Sequence, residues 1–140
     1  MDSYSYQCGV IDCFNEMVRA GLKPLALSHP CSTRKERDAF FPFCEEICLR
    51  YGTLFFPEDE PLLTDLFPLS MNRGKYNILF YRQKEVLDSY MALKERKSEL
   101  LKTGGYSGEA RKELAVSYGK LLGYPKEGCI RLIKDNPEKE

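Results

Sequence analysis

The chain has no tryptophan and a single histidine, and its charges cancel: 21 lysines and arginines against 21 aspartates and glutamates. A balanced chain has no global electrostatic pull toward nucleic acid or an anionic membrane. No apolar run approaches the roughly eighteen residues that a membrane-spanning helix needs. The opening MDSYSYQCGVIDCF lacks a basic stretch followed by a long apolar core, so it does not read as a secretory signal. A phosphate-binding loop is missing as well. Gly104-Gly105-Tyr106-Ser107-Gly108 follows a helical pattern rather than a strand and lacks the Lys-Ser/Thr ending, which excludes both the P-loop and the dinucleotide fingerprint. The acidic cluster in residues 57–65 does not have calcium-loop spacing and is expected to be solvated. These absences lead to the expectation of a cytoplasmic protein whose six cysteines are reduced thiols.

What is present is ordinary globular material, 43% hydrophobic and 30% charged over 140 residues. A chain of this size buries roughly two thirds of its unfolded surface and needs neither disulfide nor metal to fold. Residues 1–134 are expected to form one globular domain, and residues 135–140, DNPEKE, a solvated tail. Nine tyrosines and eight phenylalanines exceed what a small core requires. An aromatic surplus is a property of contact surfaces, so a protein partner or self-association is expected.

The periodicities place elements along the chain. Val10, Ile11, Phe14, Met17 and Val18 form one stripe and predict a helix over 9–20. Residues 24–28 read as a short strand with Pro24 at its start, where proline is tolerated. Thr33 followed by Glu36 fits a capping box for a second helix, which Pro42 must break or restart. Thr53 to Phe56 and Tyr76 to Arg82 read as strands, separated by a long loop with one short helical turn. Leu79, Val86, Leu93 and Leu100 repeat every seven, so 76–82 can instead be read as part of the following helix. A long helix over 84–102, another opening at Ser107, and a short last one opening at Pro125 complete the chain. Strand, helix, strand favours a right-handed parallel crossover. The expected fold is α/β, with α+β as the alternative: a small three-stranded, mostly parallel sheet covered by helices, with a helical C-terminal third.

The C-terminal stretch YGKLLGYPKEGCIRLI carries the sharpest motif. Gly119, Gly123, Tyr124, Pro125 and Cys129 have the spacing of a tight corner between two packed helices. The same spacing suits a DNA-reading helix-turn-helix over residues 114–133, in which Lys120, Lys126, Arg131 and Lys134 would meet phosphates. The reading end, Lys126-Glu127-Gly128, is poor in base-edge donors, and Glu127 opposes phosphate. The corner is therefore the favoured reading. The motif Gly119-Lys120, then Leu122-Gly123-Tyr124-Pro125 and Cys129, together with NILFYRQKEVLDSY before it, resembles a chiefly archaeal prokaryotic family ending in Gly-Lys-x-Leu-Gly-Tyr-Pro and cysteine. The resemblance covers the C-terminal sixty or so residues and implies an α/β domain with no assigned activity. This chain departs from it in the three residues between Pro125 and its cysteine, and in having no second cysteine adjacent.

The thiols raise two further expectations. Cys44 and Cys48 share a helical face, and His29 and Cys31 precede that helix, so the four have the softness and number for zinc or iron. Core packing is the favoured reading of these cysteines, since the helical pair shares its stripe with Phe40, Phe43 and Ile47 and a buried thiol packs as a small hydrophobe. Cys31 near a helix start with His29 as its base is the catalytic alternative. The composite expectation is a non-enzymatic binding or assembly module with no cofactor. A DNA-binding regulator and a thiol or metal protein are the alternatives.

Overall fold

The computed structural model describes residues Met1 to Glu140. The first helix, α1 (Ser3–Arg19), begins at Ser3 rather than Gly9. Asp2 caps it, its carboxylate accepting from the Ser5 N–H at 2.8 Å. After β1 (Leu25–Leu27), the Thr33 hydroxyl accepts from the Glu36 N–H and caps α2 (Arg34–Asp38). The helix then breaks, and α3 (Phe41–Tyr51) restarts with Pro42 in its first turn, where its missing N–H costs nothing. β2 (Leu54–Glu58), the short α4 (Leu69–Asn72) and β3 (Asn77–Tyr81) follow. Residues 77–81 are thus a strand, separate from the next helix. α5 (Lys84–Thr103), α6 (Gly108–Leu121) and α7 (Lys126–Asp135) end the fold. No helix is long and apolar enough to cross a membrane.

The expected parallel sheet is corrected: every pairing is antiparallel. The strand order is β1-β3-β2, with Leu25 opposite Tyr81 on one side of β3 and Leu54 opposite Tyr81 on the other. Because both outer strands oppose β3, β1 and β2 do run in the same direction. They are not neighbours, however, since β3 enters from the other end and lies between them. The crossover rule fixes direction and hand, but it leaves room for a later strand to fill the gap.

Alternation along the strands then divides the core. Ala26, Ile78 and Phe80 face α1 and α3, where Ile11, Val18, Cys44, Ile47 and Cys48 meet them. Leu25, Leu79 and Tyr81 face Tyr90 of α5, Ala115 and Tyr118 of α6, and Cys129 of α7. The result is a three-layer arrangement with the sheet in the middle.

Two polar segments also differ from expectation. Within the acidic cluster, Glu58 and Asp65 are buried rather than solvated. Glu58 Oε2 accepts from Tyr90 Oη at 2.7 Å and from Lys94 Nζ at 2.9 Å. The segment expected to be a solvated tail begins inside α7, and its Asn136 is buried, donating from Nδ2 to the Asp65 and Phe67 carbonyls. Burying an amide or carboxylate without a partner is costly, and the partners of these groups sit on distant segments that local sequence cannot show.

Candidate functional site

The C-terminal corner is assembled by close approach. A Cβ on Gly119 would collide with Cys129 Sγ, so glycine lets α7 lie directly on α6. Gly123 has φ +87°, and a Cβ there would sit 2.8 Å from the Leu22 carbonyl oxygen. The corner therefore packs against the α1–β1 connection as well. Lys23 fixes that contact. Its Nζ donates to the Leu122 carbonyl at 2.6 Å and lies 4.9 Å from the centre of the Tyr124 ring. Burial lowers the Lys23 pKa from its ordinary value. Pro125 precedes α7, and the Cys129 thiol is fully buried, its pKa raised by that burial.

The residues of the nucleic-acid alternative stay at the surface: Lys120, Lys126, Arg131 and Lys134 are all exposed. They do not form a uniform cationic face. Cys129, Ile133 and Asn136 point α7 inward, which turns Glu127, Arg131, Lys134 and Asp135 outward, two acids against two bases. Lys120 and Lys126 instead line a depression of about 410 Å³ between α6 and α7, with Lys112, Glu109 and Glu113 beside them.

The thiol candidates are dispersed. Cys44 and Cys48 are buried in the layer of α1 and α3, whereas His29 is exposed. No three His, Cys, Asp or Glu side chains are grouped to hold a metal ion. Desolvation, then the Cys48 and Cys8 thiols, pushes Cys44 up to about 12. Cys31 and His29 do share a depression of about 300 Å³ with Tyr4, Gln7, Glu36 and Phe40. The Cys31 thiol lies 3.7 Å from the His29 main-chain carbonyl oxygen, to which it donates. Burial, then the Glu36 carboxylate, raises the Cys31 pKa, the opposite of what activates a nucleophile.

A surface that the sequence reading missed lies between α3 and β2. Leu49 is 87% exposed and Leu54 49% exposed, and both line one shallow depression of about 540 Å³ floored by Cys48, Thr53 and Phe55. Leu49 stands out of phase with the buried stripe Cys44-Ile47-Cys48, between Glu46 and Arg50 on the outward face. That phase error is the signal which could have found it. β2 borders this surface as an edge strand, paired on one side only. No protein-family model, curated protein or solved structure matches this chain.

Proposed function

We propose that the chain is a non-enzymatic assembly module that pairs with a second copy of itself through the α3–β2 face. The observation that carries this reading is the pair of exposed leucines, Leu49 and Leu54, over one depression beside an open sheet edge. Contiguous exposed apolar surface of this kind marks contact sites. An identical partner fits it in two ways. Two copies of one edge strand meet antiparallel across a twofold axis, which is an isologous contact. The outward face of α3 is also self-complementary, because Glu46 and Arg50 flank Leu49 and already pair within the chain at 3.5 Å. A twofold sets Glu46 of one copy opposite Arg50 of the other. Pro57 has no N–H to offer, so it confines new pairing to the Leu54–Phe56 end of the strand.

Sedimentation tests this directly. The unmodified chain is expected to shift from monomer to dimer as concentration rises, and Leu49→Glu with Leu54→Glu is expected to remain monomeric, with the melting temperature that the unmodified chain has at dilutions where it is monomeric. An unmodified chain that stays monomeric up to about 1 mM would refute the assignment, since that limit corresponds to only about 4 kcal/mol of association free energy.

A further inference from the structure

On the opposite side of the sheet, the last residues of the chain occupy a seat built for an acid. The Glu140 carboxylate accepts from Lys97 Nζ at 2.6 Å and from Tyr106 Oη at 3.3 Å. Arg111 Nη2 donates to the Glu140 main-chain oxygen at 2.8 Å. Two residues earlier, Glu138 Oε1 accepts from the Ser70 N–H at 3.1 Å and from Ser70 Oγ at 2.5 Å. Between these seats the main chain is held too, the Leu69 N–H donating to the Glu138 carbonyl at 3.1 Å.

The receptor half of this contact is fixed by bonds that do not involve residues 137–140. Lys97 also donates to the Leu63 carbonyl at 2.7 Å. Arg111 grips Asp65 with two bonds of 2.6 and 2.8 Å. The Tyr106 ring lies 4.8 Å from the Arg111 guanidinium and 5.2 Å from the Lys97 ammonium. The side chain of Lys97 is only 11% exposed, and Glu140 is its one ion-pair partner. Apart from Glu140, only the Leu63 carbonyl and the Tyr106 ring meet this ammonium, so the seat is electrostatically suited to an anion. The occupant, by contrast, is loosely committed. Residues 137–140 are exposed and belong to neither core cluster, and all their hydrogen bonds but the part-buried Lys97–Glu140 and Asn136 contacts are at the surface. Exposed polar contacts are individually weak and yield to competition and salt.

We infer that Lys97, Arg111, Tyr106 and Ser70 form a binding site for an extended acidic peptide of Glu-x-Glu pattern, with the chain's own Glu138–Glu140 strap as its resident competitor. The partner is a protein segment that presents two carboxylates one residue apart and exchanges with the strap. The site is independent of the leucine face between α3 and β2, and either can fail alone.

Fluorescence anisotropy with a fluorescein-labelled NPEKE peptide tests the site in the 140-residue chain. Glu138→Gln with Glu140→Gln is expected to empty the seat, so that this variant binds the peptide at least about tenfold more tightly than the unmodified chain, whose tethered strap competes at high effective concentration. Adding Lys97→Met should abolish that binding, and added salt should weaken it. A variant that ignores the peptide, or that binds an NPQKQ control equally well, overturns the inference. In the unmodified chain, the Leu69 and Ser70 amide resonances should move on titration with excess NPEKE and stay fixed with NPQKQ. No movement with NPEKE would overturn it as well.

Discussion

On one side of the sheet, α1 and α3 close the core with Ile11, Val18, Cys44, Ile47 and Cys48. Between α1 and the sheet the buried amide is neutral: Asn15 accepts from Thr53 Oγ1 at 2.7 Å and donates to the Ile11 carbonyl at 2.8 Å, while the buried Arg37 of α2 sits at the end of the sheet, donating to the Glu58 and Asn77 carbonyls and pairing with Asp59. On the other side, α5, α6 and α7 bury aromatic and aliphatic groups too, but they are joined to the 57–70 segment by charge. Glu58 meets Lys94 and Tyr90, Asp65 meets Arg111, and Lys97 donates to the Leu63 carbonyl. The difference follows from what each layer must cover. α1 and α3 lie on a flat apolar sheet face. The other layer must also fasten a long irregular segment, whose backbone carbonyls and carboxylates need donors. One layer is held mainly by exclusion of water, the other by matched partners in addition.

The sharpest way to break the comparison is to remove one member of a matched pair. Arg111→Ala leaves Asp65 buried without its cation and is expected to cost about 3–5 kcal/mol, measured by denaturant unfolding. Ile47→Ala in the apolar layer is expected to cost a comparable or smaller amount, about 2–5 kcal/mol, through transfer and cavity effects. The two should part in salt. The native-minus-variant difference for Arg111→Ala should shrink as ionic strength rises, while that for Ile47→Ala should not. Equal salt responses would show that the two layers are held in the same way.

A smaller effect probes the corner. Gly119→Ala forces a methyl group against Cys129 Sγ and should destabilise by about 1–3 kcal/mol in thermal unfolding. Adding Cys129→Ala should recover part of that loss, because the two sites are in contact and their effects are not additive.

The smallest effect belongs to the thiol layer and appears at alkaline pH. The Cys44 thiol has an ordinary value of 9.0 and is pushed up to about 12 in the fold. The unfolded chain therefore releases that proton above pH 9, while the folded chain holds it until about pH 12. Stability present below pH 9 is lost as pH rises through this window, with a limiting slope of about 1.4 kcal/mol per pH unit. Cys44→Ala should flatten the decline between about pH 9 and 10, before tyrosines ionise in the unfolded chain. An unchanged slope would remove Cys44 as its cause.

Much of the local structure was legible in the residues. The Thr33–Glu36 box, the interruption at Pro42 and the glycine and proline pattern of the corner each act within one turn of the chain, where spacing is decisive. Sheet order was not read, although two signals for it exist. After Asn77, ILFY is apolar without alternation, as a strand covered on both faces must be, and Pro57 belongs on an edge. Direction of pairing has no local signature, because alternation looks alike in parallel and antiparallel strands. The buried charges were illegible for a related reason. Glu58 and Asp65 lie in a run that reads as solvated, and their donors come from helices thirty or more residues away.

The central position of β3 bears on how the chain is made. As the polypeptide leaves the ribosome, its first and second strands emerge with nothing to zip onto, since their shared neighbour is residues 77–81. Until that segment emerges, the earlier strands have unpaired edges and their apolar residues stay open to other molecules. Its arrival joins contacts up to 56 positions apart, from Leu25 to Tyr81, in a single closure. Such late, long-range docking makes the sheet the slow part of folding, and the helices must wait for it to acquire a floor.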